Sequence, residues 1–284
     1  MSSEPRPRPG LSRARARPPV PRRSRARSTG LDIGTFAVRA AEVTMLRGRP
    51  VVTRFGQVTL PPGAVRAGEV VDPEAVIAAI HRLWAEGGFR GRRVVIGVAN
   101  SRVVVRQADL PAMGEADLRS ALRFEAAELI PLPVEESQLD FQVLESVDNG
   151  AGEPRVRLLL AAGQRDMIDL AVTTAGAARL SPSAVDVVPL SLVRALGSAG
   201  GEEPGRTAEA IVAVGAGVTN VVVHDGGVPC YVRILGAGAD SITDALVAQL
   251  ALPVDAAEDL KRRIGSPGGP ALPPAGAAAG AVVA

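Results

Sequence analysis

Aromatic side chains are nearly absent, with Phe, Tyr and Trp together making up 2% of the 284 residues. A core must then be built from Val, Leu, Ile and Ala, and the 46% hydrophobic content is enough to build one. A single cysteine, Cys230, excludes an internal disulfide and any multi-cysteine metal site. The two histidines, His81 and His224, lie far apart in sequence. Lys261 is the only lysine, so the basic side chains are otherwise all Arg. No apolar run approaches the roughly 18 residues of a membrane span. No apolar segment of the kind found in secretory signals follows the basic N-terminus, so the expected location is cytoplasmic.

The basic balance, pI near 9.3, is local in origin. Residues 1–28 carry nine Arg and one acid, Glu4. The remainder holds 23 basic against 29 acidic side chains, which argues against a nucleic-acid-binding domain and for no nucleic-acid partner. The Pro/Arg-rich stretch 1–28 and the Pro/Gly/Ala-rich stretch 266–284 lack the apolar surface that offsets the entropy of ordering. Both are expected to be disordered tails.

Between them the sequence reads as α/β. Three strands are expected at 30–34, 37–46 and 50–60, then a helix begun by Asp72 and Pro73, then two strands joined at Asn100-Ser101. Together they form a first unit, 29–113. Residues 114–187 read as an inserted α+β unit: an amphipathic helix with Leu118, Leu122 and Leu129 inward, two strands, a helix at 164–178 and a closing strand. A connecting helix and linker, 188–207, lead to a third unit, 208–265. This repeats the opening plan of strand, glycine turn, strand, short turn, strand, and ends in two helices capped by Asp240 and Asp255. A repeated plan suggests a duplicated fold.

Two strand-turn-strand loops carry the chemistry. The first holds Asp32, Gly34 and Thr35, with Arg39 following on the next strand. Glycine lets backbone N–H groups approach a phosphate, and the Thr hydroxyl is a further donor. A carboxylate such as Asp32 can hold Mg²⁺, most often through water. The second loop, Gly215-Ala216-Gly217-Val218-Thr219-Asn220, supplies two glycines and a hydroxyl. Taken alone, each loop is equally a tight hairpin. As a pair in duplicated halves, they would clamp a phosphate chain from both sides.

"GLDIGT" followed by "VR" resembles the first phosphate loop of the actin, sugar-kinase and heat-shock-chaperone superfamily, and "VGAGVTNVVVHDGG" resembles its second. Within the superfamily the sequence is similar to the PilM family of type IV pilus assembly, an FtsA-like branch, most particularly over "LRFEAAELIPLPVEESQLDFQVL". The resemblance implies an actin-like (ribonuclease H-like) duplicated fold with an inserted FtsA-like subdomain and an incomplete second half. It implies ATP and Mg as cofactors and a scaffold at the inner face of the membrane. It also implies capture of the N-terminal peptide of a PilN-like membrane protein between the first and inserted subdomains, alongside other pilus assembly components. Asp32, Gly34, Thr35 and Arg39 fall on the first phosphate pattern, with Asp32 as the metal-holding acid. Gly215, Gly217 and Thr219 fall on the second.

Gly238 and Ala239 stand where the family usually has Gly-Gly, and Ala213 stands where the superfamily places a second metal-holding Asp. At most a weak ATPase is therefore expected. The adenosine-binding Gly-Gly motif and final helices would follow residue 265, where the Ala/Gly/Pro stretch stands instead, so the chain is expected to be C-terminally short of them. The alternatives are an FtsA-like polymerising cell-division protein, against which the "ELIPLPVEESQLDFQVL" segment argues, and a small-molecule kinase, for which no base is apparent. The remaining polar and reactive residues have plainer readings: His81 at a surface, His224 and Asp225 in a turn, Cys230 buried in a strand, Trp84 as packing, and Glu125, Glu128, Glu135 and Glu136 as a solvated face.

Overall fold

The computed structural model describes residues 27–147, 154–197 and 208–264. Most of the two tails and of the linker at 198–207 lies outside the described residues.

The chain opens with β1 (Arg27–Ile33), β2 (Ala37–Leu46) and β3 (Arg49–Thr59), an antiparallel meander. Arg27 and Ser28, placed in the tail by the sequence reading, belong to β1. A minimal hairpin follows, β4 (Val65–Arg66) and β5 (Glu69–Val70). Helix α1 (Pro73–Glu86) starts as its sequence dictates, with Asp72 accepting from the Ala75 N–H at 3.1 Å and Pro73 in the first turn, where no N–H is missed. Its apolar stripe, Val76, Ile80, Leu83 and Trp84, is buried. Trp84 serves packing: it lies against Phe89, and its indole N–H donates to Gly91 O at 2.8 Å.

Strand β6 (Arg93–Val98) enters beside β1, parallel to it. Strand β7 (Val103–Pro111) leaves the first sheet at the Asn100 turn and pairs instead with β9. Then come α2 (Glu115–Leu129), β8 (Ser137–Val147), β9 (Arg155–Gln164), α3 (Arg165–Ala177) and β10 (Ser181–Val187). Two sheets result. One is a five-stranded mixed sheet in the order β10-β6-β1-β2-β3, and the other is a three-stranded antiparallel sheet, β7-β9-β8. The sequence reading placed β7 with the first unit and α3 and β10 with the inserted one. The ladders reverse this: β7 builds the inserted sheet, whereas β10 completes the first sheet and α3 packs on the first core through Met167, Ala171 and Ala175.

The inserted sheet has its own core, with Leu158 and Leu160 fully buried against Leu118, Leu122 and Ala126 of α2. Helix α4 (Val188–Leu196) leads to a second meander, β11 (Glu209–Val214), β12 (Thr219–Asp225) and β13 (Val228–Leu235). Val193 of α4 bridges Val105 and Leu159 of the inserted sheet to Val222 and Val232 of this one. Cys230 is exposed rather than buried. The register shifts here, with Val223 opposite Tyr231 but His224 opposite Pro229, so Cys230 is the extra residue of a β-bulge and turns out of the alternation. His224 is buried and accepts the Gly227 N–H at 3.3 Å, which fits a turn role.

The described chain ends in α5 (Ala239–Leu250) and α6 (Val254–Ile264). Neither expected cap is used: Gly238 is the N-cap of α5, and Asp240 and Asp255 sit inside their first turns. The two helices share a small core, Leu246, Leu250, Ala257 and Leu260, and a polar clasp in which Glu258 meets Lys261 at 2.5 Å and Thr243 at 2.9 Å. The Lys261 hydrogen bond, helped by Thr243 and Arg262, holds the Glu258 carboxyl at about 2, down from its ordinary 4.5. Because the folded value is depressed, the clasp is at full strength above pH 4.5 and weakens as pH falls towards 2. Acid titration followed by circular dichroism is expected to show helix loss in that window, shifted upward in pH in Lys261→Met. An unshifted midpoint would show that the clasp contributes nothing.

Candidate functional site

The β1–β2 turn closes with the Gly34 N–H donating to Ala37 O at 3.1 Å, and the β11–β12 turn closes with the Gly215 N–H donating to Val218 O at 2.8 Å. The two turns lie against each other. A Cβ built on Gly217 would stand 2.6 Å from Thr35 Oγ1 and 3.0 Å from its Cγ2, so only glycine admits this approach. Between and behind the turns runs a cleft of about 660 Å³, within the usual range for small-molecule pockets.

Of the residues singled out by sequence, Asp32, Gly34, Thr35, Arg39, Gly215 and Gly217 line this cleft. Thr219 and Gly238 do not; they support it from behind. The Thr219 hydroxyl donates to Ala237 O at 2.8 Å, so it anchors the segment before α5 and is not a free donor into the cleft. The first N–H groups of α5 are likewise committed: Ala239 donates to Gly215 O and Asp240 to Ala216 O, each at 2.9 Å. These bonds satisfy donors that a side-chain cap would otherwise serve. They also bring Gly238 so close that a Cβ there would stand 2.4 Å from Gly215 O.

One in-register row crosses all five strands of the first sheet, and its members Arg39, Asp32, Gly97 and Asp186 line the cleft. Gln57 pairs in register with Arg39, Arg39 with Asp32, Asp32 with Gly97, and Gly97 with Asp186. Residues in register point to the same face. Arg39 is held along the row, its Nε donating to Gln57 at 2.8 Å and its Nη1 to Asp32 at 3.2 Å. Burial in the cleft pushes the Asp32 carboxyl above its ordinary value, outweighing the pull of Arg39. Gly97 adds no side chain to the row and Val188 packs over it, and Asp186 takes hydrogen bonds from Ser191 (2.8 Å) and Arg194 of α4.

The second sheet contributes a neutral counterpart, Ala213 opposite Asn220. Both residues line the cleft. Asn220 is 8% exposed, and its Oδ1 has no hydrogen-bond partner. Sequence reasoning missed Asp186, and it placed Asn220 in the second loop without giving it a role. An in-register count across the sheet finds the first, and the matching seven-residue spacings Asp32–Arg39 and Ala213–Asn220 find the second. Among the described residues no cluster of three or more His, Cys, Asp or Glu side chains forms a metal cage. No helix among them is long and apolar enough to cross a membrane.

The family described as type IV pilus assembly protein PilM matches residues 30–269. The chain belongs to the PilM family. A solved chain of a PilM–PilN type IV pilus biogenesis complex is 30% identical, superposes with a TM-score of 0.74, and is matched over 85% of this chain and 71% of that one. At lower similarity stand the ethanolamine utilization protein EutJ from Carboxydothermus hydrogenoformans and the cytoplasmic domain of EpsL, an inner-membrane component of the Vibrio cholerae type II secretion system. EutJ is 17% identical with a TM-score of 0.47, covering 86% of this chain and 63% of that one. The EpsL domain is 12% identical with a TM-score of 0.43, covering 78% and 74%. The fold is thus actin-like.

Proposed function

We propose that this PilM-family chain is an ATP-binding scaffold for type IV pilus assembly, peripheral at the inner face of the membrane through its partners. The observation that carries the nucleotide reading is the contact of the two turns at Thr35 and Gly217, which converges glycine backbone from both halves on one cleft. The residues lining the cleft are of the kinds a magnesium-bound phosphate chain takes: glycine turns at Gly34 and Gly217, a cation at Arg39, and a carboxylate at Asp32 suited to a magnesium-bound water. Bound magnesium would supply charge neutralisation for the phosphates. Ala213 offers no second carboxylate, so the site suits holding a nucleotide better than cleaving one.

The partner reading rests on family membership and on the relative solved as a PilM–PilN complex. By that reading the chain captures the N-terminal cytoplasmic peptide of a PilN-like membrane protein in a groove between the first subdomain and the inserted β7-β9-β8 unit. Fluorescence anisotropy with a labelled peptide of that kind is the test. Saturable binding that a scrambled peptide does not compete supports the reading. No binding to chain shown folded by circular dichroism would remove it.

A further inference from the structure

Strands β1, β6 and β10 run in parallel towards the cleft, and the β2–β3 hairpin turns back at the opposite end of the same sheet. That far end, roughly 20 Å from the cleft along β1, is basic. Its turns and strand starts carry Arg47 and Arg49 between β2 and β3, Arg90, Arg92 and Arg93 before β6, and Arg179 before β10. All are exposed, and none has an ion-pair partner among the described residues. The neighbouring acids are already used, Glu86 by Arg82 and the buried Glu42 by Arg54. Arg92 and Arg179, with His81, also line a concavity of about 440 Å³ beside Trp84 and Phe89. Arg27, at the start of β1, stands at the same end, and the residues before it hold eight Arg against one acid, Glu4. The hairpin tip that projects from this basic end is apolar. Arg27 pairs with Thr44, so the β2–β3 ribbon runs on past β1 through Met45 and Leu46. Met45, Leu46, Val51 and Val52 there are between 39% and 60% exposed. By register, Met45 and Val52 point to one face of the ribbon and Leu46 and Val51 to the other, so neither face of the tip is turned into a core.

We propose that this end of the first sheet docks directly on an anionic lipid bilayer. The hairpin tip enters the boundary between headgroups and acyl chains, and the arginines behind it meet lipid phosphates at headgroup level, one of them in the concavity between Arg92 and Arg179. Arginine suits this role because its planar fork matches phosphate oxygens. The choice of a bilayer over an acidic protein rests on the order of the two features. Apolar side chains lead and cations follow, which is the order a membrane surface presents in reverse. A tip that is apolar on both faces suits immersion, whereas a protein partner on one side would leave the other side wet. The inference goes beyond the reading above, in which the membrane is reached through partners, and it does not depend on nucleotide. It leaves the cleft, at the other end of the same strands, facing away from the bilayer.

The test is flotation of the 284-residue chain with vesicles of pure phosphatidylglycerol or pure phosphatidylcholine. Wild type is expected to float with the first and not with the second. Arg92→Gln combined with Arg179→Asn, where Asn tolerates the φ of +62° at 179, is expected to bind phosphatidylglycerol about 25-fold more weakly, about fivefold for each cation removed. Leu46→Ser combined with Val52→Ser leaves every charge in place and is expected to bind roughly tenfold more weakly. Both variants alter only exposed side chains, circular dichroism checks their folding, and either carries the test if the other fails to fold. Folded wild type that ignores phosphatidylglycerol would overturn the proposal, as would equal binding to phosphatidylcholine. Undiminished binding by the arginine variant would also overturn it, placing the affinity in the residues before Arg27 alone. Undiminished binding by the serine variant, with polyglutamate displacing the chain from the vesicles, would assign the face to an acidic protein instead.

Discussion

Gly217→Val is expected to weaken ATP binding about 100-fold while leaving the far-ultraviolet circular dichroism spectrum unchanged. The new Cβ would stand 2.6 Å from Thr35 Oγ1, 3.0 Å from Cγ2 and 3.1 Å from Cβ. Rotation of Thr35 about Cα–Cβ moves Oγ1 and Cγ2 together and leaves the 3.1 Å contact with Cβ in place, and a β-branched side chain has few rotamers to offer. The two turns must therefore separate, and their N–H groups cease to converge. Losing about two hydrogen bonds to charged phosphate oxygens, each worth about 1.5 kcal/mol, gives the stated factor. The fold survives because Gly217 lies in a turn outside the buried clusters that hold the sheets together. Isothermal titration with Gly217→Val beside wild type reads the effect, and unchanged affinity would show that the approach of the turns has nothing to do with nucleotide.

Gly68→Ala is expected to destabilise the fold by about 3 kcal/mol, the largest stability loss from a single added methyl. Gly68 has φ +82° in the β4–β5 turn, and a Cβ there would stand 2.0 Å from Ala99 O. The clash is with backbone at the end of β6, so no side-chain rotation relieves it. The displaced turn carries Glu69, which receives Arg102 Nη2 at 2.6 Å and Nε at 2.7 Å, while Arg102 also holds Asp166 of α3. One methyl thus strains the hairpin and the clasp that ties it to the inserted sheet and to α3. Ala67, beside it at φ +47°, is the internal control: Ala67→Gly accepts that backbone angle at no steric cost and is expected to stabilise. Urea unfolding of the two variants measures both signs. A loss below 0.5 kcal/mol for Gly68→Ala would show that the turn relaxes freely.

Local chemistry was legible in the sequence. Asp72 and Pro73 announce α1, and each glycine turn announces its hairpin, because those signals act between residues a few positions apart. Pairing over distance was not legible. Nothing near Val103 says that its strand joins β9 rather than its neighbour β6, and nothing near Ser181 says that β10 finishes the first sheet. The cleft residues divide the same way. Asp32, Gly34 and Thr35 stand out as a compact motif. Asp186 and Asn220 gain their meaning only from register, the one through Gly97 and the other beside Ala213. Thr219 shows the opposite error: its position in the motif suggested a phosphate donor, but its hydroxyl is used by Ala237 O. Cys230 needed a bulge that alternation alone does not predict.

The central claim is that the two halves hold a nucleotide between their glycine turns. The direct measurement is titration of the 284-residue chain with ATP in Mg²⁺, with Gly217→Val alongside. Saturable one-site binding by wild type, largely lost in the variant, is the predicted result. Absence of binding by folded wild type, or equal binding by both chains, would contradict it.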